Sequence, residues 1–191
     1  LEGEVQVRGP EITLPGAARS WKPRADVRFR LNLTDHSLNI SEWTLEDEGA
    51  MARGTGAIRY AEWPLAYELT VGAWRADLAR VADKLPLPQV SDLKGQVQGE
   101  PVTLQGHWPK LPVASVAATL TGVGFQLPKQ AFQLMGLTGV CRLHYTGTRL
   151  GAQADLRVQT LEVLGERHAN AAFHAVLSAN PRNGDVTAEE L

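Results

Sequence analysis

The feature that most constrains the fold of this chain is a period-two alternation of apolar and polar residues, clearest in residues 137–164. In its second half, residues of one face alternate with residues of the other. The dry face carries Ala154, Leu156, Val158 and Thr160, and the wet face carries Gln153, Asp155, Arg157 and Gln159. This period is typical of a β-strand with one dry face and one wet face. A preceding alternating segment with Cys141 and Leu143, followed by a glycine turn, predicts a hairpin. The functional question is therefore what covers the dry face.

One-sided strands of the same kind are predicted along most of the chain. Residues 25–34 alternate most cleanly, and residues 65–71 repeat the pattern. Further strands are predicted at 4–8, 38–45, 50–60, 93–98, 102–108, 113–120 and 169–177. The apolar side of these strands, together with residues 137–164, is predicted to carry Val27, Phe29, Leu31, Leu33, Leu69, Val71, Leu143, Leu156, Val158 and Phe173.

Only two segments have a helical pattern. Asp77 can cap a helix in which apolar residues recur at helical spacing until Pro86, and a second helix is predicted from Pro128 to Met135, ahead of Gly136. Helices this short cannot cover a large sheet. We therefore expect a mainly β fold, a curved antiparallel sheet (a β-taco or half-pipe) with one or two short helices. A two-layer β-sandwich would satisfy the same strands without any ligand, and the pattern leaves both open.

The 191 residues fit a single β-rich domain or a fragment of a longer repetitive protein. The tetrapeptide Leu-Thr-Gly-Val begins at both Leu120 and Leu137, which suggests repeat units at about 50–90, 91–135 and 136–178. The chain starts in strand-like sequence, without a Met or a signal segment. We expect any membrane anchor to lie outside this sequence.

Charge and motif content argue against several function classes. The net charge is -2 with interspersed signs, which predicts no nucleic-acid binding. The single cysteine, Cys141, sits inside an alternating strand and is predicted to be a core residue. The five histidines lack metal-ligand spacing, no nucleophile motif is present, and the short glycine pairs are turn glycines rather than phosphate loops. We therefore expect no enzyme activity, no cofactor and no metal site.

Five tryptophans fall near predicted strand ends or turns, namely Trp21, Trp43, Trp63, Trp74 and Trp108. Tryptophan at such positions either plugs the end of a core or marks a rim that faces a membrane. Plugging is the commoner role, and the sequence leaves both interpretations open.

A family resemblance rests on the spacing of leucine, glycine and alternating residues: Asp77-Leu78-Ala79-Arg80-Val81, Leu85-Pro86-Leu87-Pro88, Leu93-x-Gly95-x-Val97-x-Gly99 and Leu137-x-Gly139. With these features the chain, from about Val27 to Leu177, resembles the AsmA-like proteins of the Gram-negative envelope, the group that includes TamB, YhdP and YdbH and is related to bridge-like lipid transfer proteins. The resemblance implies a long, twisted antiparallel sheet with an apolar concave face. It also implies a periplasmic location, with anchorage to the inner membrane.

The alternation and the resemblance lead to one expectation. The apolar residues named above would bind the acyl chains of a phospholipid or other lipid, which the protein would carry between the inner and outer membranes without catalysis. The alternative is a structural or interaction β-module of an envelope assembly, such as a secretion system, in which a protein partner binds through the sheet edges.

Overall fold

The computed structural model describes residues 1–8, 11, 19–85, 87, 89–110, 113–146, 149–179 and 186–190. Twelve strands form one sheet in which every paired strand is antiparallel to its neighbour. The strands are β1 (Glu2–Arg8), β2 (Arg24–Asn32), β3 (Ser37–Asp47), β4 (Ala50–Arg59), β5 (Leu65–Asp77), β6 (Ser91–Gly99), β7 (Val102–Trp108), β8 (Ala114–Leu127), β9 (Phe132–Tyr145), β10 (Leu150–Val163), β11 (Glu166–Ala179) and β12 (Val186–Glu190).

The order of the strands in the sheet follows their order in the chain. β6 pairs with the C-terminal part of β5 and β7 with its N-terminal part, so β6 and β7 act as one long strand interrupted at Glu100 and Pro101. The path from β1 to β12 is thus a meander of eleven strand positions, and the sheet is not closed. The prediction of a mainly β, open antiparallel sheet is confirmed, and the described residues do not form a second sheet.

Helical structure is confined to two short connections. The first runs from α1 (Leu78–Val81) into a 3₁₀ turn at Ala82–Lys84, and the side chain of Asp77 caps α1 by accepting a hydrogen bond from the N–H of Ala79 at 3.1 Å. This confirms the first predicted helix, although Pro86, its predicted end, lies outside the described residues. Among the described residues, no helix is long and apolar enough to cross a membrane.

The second predicted helix is wrong. A 3₁₀ turn occupies Pro128–Gln130, and β9 starts at Phe132, so the residues up to Met135 belong to a strand. The prediction rests on Pro128 as a first helical residue and on Gly136 as a C-terminal cap, but Gly136, whose φ is +69°, instead changes the phase of the alternation inside β9. Phe132 and Leu134 share a face before this glycine, whereas Leu137 takes that face after it.

Gly136 is one of a row of irregular backbone positions that crosses β6, β8, β9, β10 and β11. Left-handed backbone occurs at Gly95, Gly122, Gly136 and Asn170, and Gln159 of β10 lies beside Gly136. A Cβ on Gly95 would stand 2.6 Å from the Cα of Val123, so only glycine fits there. Bulges and left-handed residues bend a sheet, and we name this row the corner line.

The main buried cluster of the protein lies at the corner line. It contains Val123, Leu134, Leu137 and Val158, with Leu78 of α1 and several half-buried residues packed against it. The two Leu-Thr-Gly-Val segments meet here as neighbours in β8 and β9, with Leu120 opposite Gly139 and Val123 opposite Leu137. The proposed repeat units stay a prediction, but the two segments face each other across one bend. Among described residues, none of β1 to β5 is buried.

Candidate functional site

One face of the sheet is apolar across almost its whole width. Residues directly opposite in paired strands project to the same side, so a row can be followed from strand to strand. One such row crosses from β2 to β11 and contains only apolar residues and glycine: Ala25, Leu45, Ala52, Trp74, Gly99, Ala118, Cys141, Ala154 and Ala175. The apolar face is therefore continuous rather than a set of separate patches.

The opposite face is polar along the neighbouring row. That row contains Arg24, Glu46, Met51, Arg75, Gln98, Thr119, Val140, Asp155 and His174. Cross-strand ion pairs line the same side: Arg28 Nη1 lies 3.0 Å from Glu42 Oε2, and Asp155 Oδ1 lies 2.5 Å from His174 Nδ1. This face is solvated, because most of these charged side chains are half exposed or more.

The structure places most of the predicted lipid-contacting residues on the apolar face. Val27, Phe29 and Leu31 of β2 are aligned with Leu69 and Val71 of β5 through the ladders of β3 and β4. On the other half of the sheet, Leu156 of β10 stands opposite Phe173 of β11, and Leu143 lies on the same side in β9. These eight residues share one side, as the alternation predicted.

Two of the predicted residues do not fit an open strand face. Leu33 lies in the turn after β2 and is 63% exposed, because the side chain of Asn32 accepts hydrogen bonds from the N–H groups of Thr34 and Asp35 and ends the strand. Val158 is only 2% exposed and belongs to the buried cluster. A lipid could not reach Val158 without displacing its neighbours.

The apolar face has little cover from the rest of the described chain. The short helix α1 packs on it near the corner line through Leu78, whereas the residues around Phe29, Leu69 and Leu156 are half-buried only by their neighbours in the sheet. Leu143 and Phe173 are 47% and 44% exposed. The residues that the structure describes therefore leave most of this face without cover.

Two tryptophans contribute to the apolar face in a way that the alternation did not reveal. Trp74 packs against Gly99 of β6, since a Cβ on that glycine would stand 1.6 Å from its indole, and Trp43 packs against Gly54 and donates Nε1–H to the carbonyl of Thr55 at 3.3 Å. The signal that could have found them is a tryptophan opposite a glycine in adjacent strands.

No metal-binding cluster forms within the part of the chain that the structure describes. No group of three or more histidine, cysteine, aspartate or glutamate side chains in these ranges could bind a metal ion. Cys141 lies on the apolar face, half-buried, and burial raises the pKa of its thiol, which favours the uncharged form. The chemistry of this face is therefore that of apolar contact.

Comparisons with protein-family models, with curated proteins and with solved structures gave no match to this chain. The features that bear on function are therefore the open sheet and the side chains on its two faces.

Proposed function

We propose that this protein is a non-catalytic lipid-handling segment that binds the acyl chains of phospholipids along the apolar face of its sheet. The observation that supports this proposal is the contrast between the two faces: one is continuously apolar from β2 to β11 and largely uncovered, and the other is polar and solvated. A soluble protein rarely leaves such a surface in water without a ligand or partner for it.

The shape of the face suits a chain-like ligand. The continuous row is built mostly from alanine and glycine, while larger side chains such as Trp43, Val71 and Phe173 lie in the adjacent rows. An acyl chain lying along the small residues would contact the larger ones, and each methylene removed from water contributes about 0.8 kcal/mol. Because the contacts are non-directional, a lipid could slide from strand to strand without breaking a specific hydrogen bond.

The physiological setting belongs to the same proposal. By its likeness to the AsmA-like proteins, the segment would work in the periplasm, attached to the inner membrane through another part of the protein, and move phospholipid towards the outer membrane. The headgroup would stay at the solvated border of the sheet, since its charge is costly to place on an apolar surface.

A second candidate function is a structural or interaction module of an envelope assembly. The observation in its favour is that the sheet is open, so that β1 pairs with one neighbour, β2, and leaves a ladder edge unpaired. Another protein could add a strand there. However, Glu2 and Glu4 alternate along this edge, and charges of this kind protect an edge strand from pairing.

Site-specific photo-crosslinking tests the proposal. A photoreactive benzoylphenylalanine would replace Phe173 or Leu143 on the apolar face, and Ala172 or Arg142 on the polar face as matched controls from the adjacent positions. After expression in a Gram-negative host, ultraviolet light should give phospholipid adducts from positions 173 and 143 at least tenfold more often than from 172 and 142.

Either of two results would overturn lipid binding. One is equal, low lipid labelling at all four positions, with folding of each variant verified by circular dichroism. The other is that positions 173 and 143 label a polypeptide instead of a lipid, which would favour the interaction module.

A further inference from the structure

Exposed apolar side chains are concentrated at one edge of the sheet, where the turns after β2, β4, β7 and β9 lie. Because successive strands are antiparallel and follow chain order, these alternate turns share one edge. We name this set of five residues the tryptophan edge, with their exposed fractions: Leu33 63%, Trp63 69%, Trp108 59%, Val113 54% and Leu150 37%. At the opposite edge, the exposed large apolar residues in the described ranges are Leu87 and Leu164.

The turns that present these side chains are fixed to the sheet. Tyr60 donates its hydroxyl hydrogen to the carbonyl of Asn32 at 3.2 Å, and its ring contacts His36 with 5.7 Å between ring centroids. Tyr67 similarly donates to the carbonyl of Lys110 at 3.2 Å. The turns are therefore ordered by their own hydrogen bonds, while their apolar tips point away from the protein.

The two tryptophans of this edge differ from the other three. Trp21 and Trp43 donate their indole N–H groups to backbone carbonyls, and Trp74 packs on Gly99. By contrast, Trp63 and Trp108 are more than half exposed, and neither indole N–H has an acceptor within the described ranges. An exposed indole with a free N–H suits the boundary between hydrocarbon and headgroups, where the ring is buried and the N–H finds an acceptor.

Cationic residues lie close in sequence to the exposed apolar residues of this edge. Arg59 ends β4 just before Trp63, Lys110 follows Trp108, and Arg149 precedes Leu150. None of the three has an ion-pair partner among the residues described, although many other cations of the sheet do. Of the acids near this edge, Asp35 accepts a hydrogen bond from Asn32 at 2.5 Å, and Glu62 is exposed and directly precedes Trp63. Unpaired cations beside apolar tips are complementary to lipid phosphates.

We propose that the tryptophan edge binds the surface of an anionic phospholipid bilayer, with Trp63 and Trp108 inserted at the headgroup level. This inference deepens the proposed lipid-handling function. It implies that lipid passes from the bilayer across this edge onto the apolar face, and this route rests on the proposed function. The edge offers separate protruding tips rather than a concave groove, which fits a fluid bilayer better than a folded protein.

Vesicle flotation tests the inference with the whole chain. Vesicles of equal parts phosphatidylglycerol and phosphatidylcholine should carry the wild-type protein upward in a density gradient. The double variant Trp63→Ser/Trp108→Ser should bind at least tenfold more weakly, since two exposed indoles lose their apolar contact. The variant Lys110→Gln should bind about fivefold more weakly than the wild type, and this loss of binding should occur only with anionic vesicles.

Leu87→Ser/Leu164→Ser is the matched control, because it removes two exposed apolar residues from the opposite edge. It should bind vesicles like the wild type. The inference is overturned if the wild type does not float with the vesicles, or if both double variants lose vesicle binding equally. It is also overturned if the wild type forms a dimer in the absence of vesicles and the Trp63→Ser/Trp108→Ser variant is a monomer. If the tryptophan variant fails to fold, Lys110→Gln and Arg149→Gln decide the outcome.

The crosslinking experiment separates this inference from the proposed function. Lipid adducts at position 173 without vesicle binding would overturn the bilayer-binding edge and leave the lipid-binding face supported. Vesicle binding that depends on Trp63 and Trp108, without adducts at 173, would support the edge and overturn lipid handling by the face.

Discussion

Lys84 is the most buried charged residue among the described residues, and it connects three distant parts of the chain. It is 9% exposed, and its Nζ lies 2.5 Å from Asp47 Oδ2 and 5.9 Å from the ring centroid of Trp21. The indole of Trp21 donates to the carbonyl of Lys84 at 3.1 Å. The end of β3, the turn after α1 and the segment before β2 are thus joined at one point.

The ionisation of Asp47 depends on this arrangement. Burial opposes the charged carboxylate, but hydrogen bonds from Lys84 and from the backbone N–H of Glu48, together with the Lys84 charge, outweigh burial and lower the pKa of Asp47 below its ordinary value of 3.8. A carboxyl group whose pKa is lower in the folded state stabilises the fold above pH 3.8. That contribution is lost as the pH falls through the folded-state pKa.

The first prediction follows from this pair. Lys84→Met should lower the free energy of unfolding by about 3 kcal/mol at neutral pH, because it leaves the Asp47 carboxylate buried without its partner. The deficit relative to wild type should shrink as the pH falls from 3.8 through the lower folded-state pKa of Asp47, where the carboxylate becomes neutral. Denaturant unfolding at several pH values measures this, with Lys129→Met at an exposed position as the control. A deficit that does not change with pH would contradict the role given to the ion pair.

At the scale of elements, β5 pairs with both β6 and β7 on one side, and its junction with β6 is short. Four residue pairs join β5 to β6, between Trp74–Asp77 and the residues opposite, and Trp74 over Gly99 is the largest side-chain contact among them. The indole of Trp74 occupies the space that any side chain at position 99 would need.

A double-mutant cycle at this junction is the second prediction. Trp74→Ala should destabilise the protein by about 3 kcal/mol, whereas Trp63→Ala, at an exposed turn, should change stability by less than about 0.5 kcal/mol. Gly99→Val should also destabilise, since it displaces the indole. The double variant Trp74→Ala/Gly99→Val should be more stable than the sum of the single changes predicts, because the clash disappears. Additive effects in thermal unfolding would show that the two residues do not compete for one space.

The elements were predictable where the alternation keeps its phase. Val27, Phe29 and Leu31 were placed on the correct face because β2 is regular at that point, and the helix at Leu78 was recognisable from its cap and spacing. The second helix was not predictable in this way. Pro128 begins a 3₁₀ turn instead of a helix, and Gly136, the predicted helix cap, inverts the alternation inside β9.

The candidate site was predictable in composition but not in accessibility. Alternation assigns a residue to a face, but it cannot tell that Val158 lies under the buried cluster at the corner line or that Leu33 lies beyond the strand end. Nor does it predict that Trp63 and Trp108 share an edge, because this depends on the order of strands in the sheet.

At the scale of the whole molecule, buried side chains are unevenly distributed. The buried cluster joins β8, β9 and β10, whereas β1 to β5 contain no buried residue in the described ranges. Local stability depends on buried apolar contacts. The two halves of the sheet should therefore differ in the free energy of local opening.

Hydrogen exchange measures this difference and gives the third prediction. Amides of β9 and β10 should exchange at least a hundredfold more slowly than those of β2 and β3, although all four strands are paired on both sides. Addition of a ligand that covers the apolar face should reduce the difference, because it supplies the β2 to β4 region with apolar contacts. Uniform protection from β2 to β10 without ligand would show that the sheet unfolds as one unit.

The agreement between strand order and chain order also affects how a protein of this design can change in length. Since each strand pairs only with its neighbours in the chain, a duplicated hairpin could be inserted between two existing ones without altering any other strand pair. Each hairpin would extend the sheet by about 10 Å, from the spacing of two strands. Gene duplication can thus lengthen the apolar face in regular steps, independently of the sequence at either end.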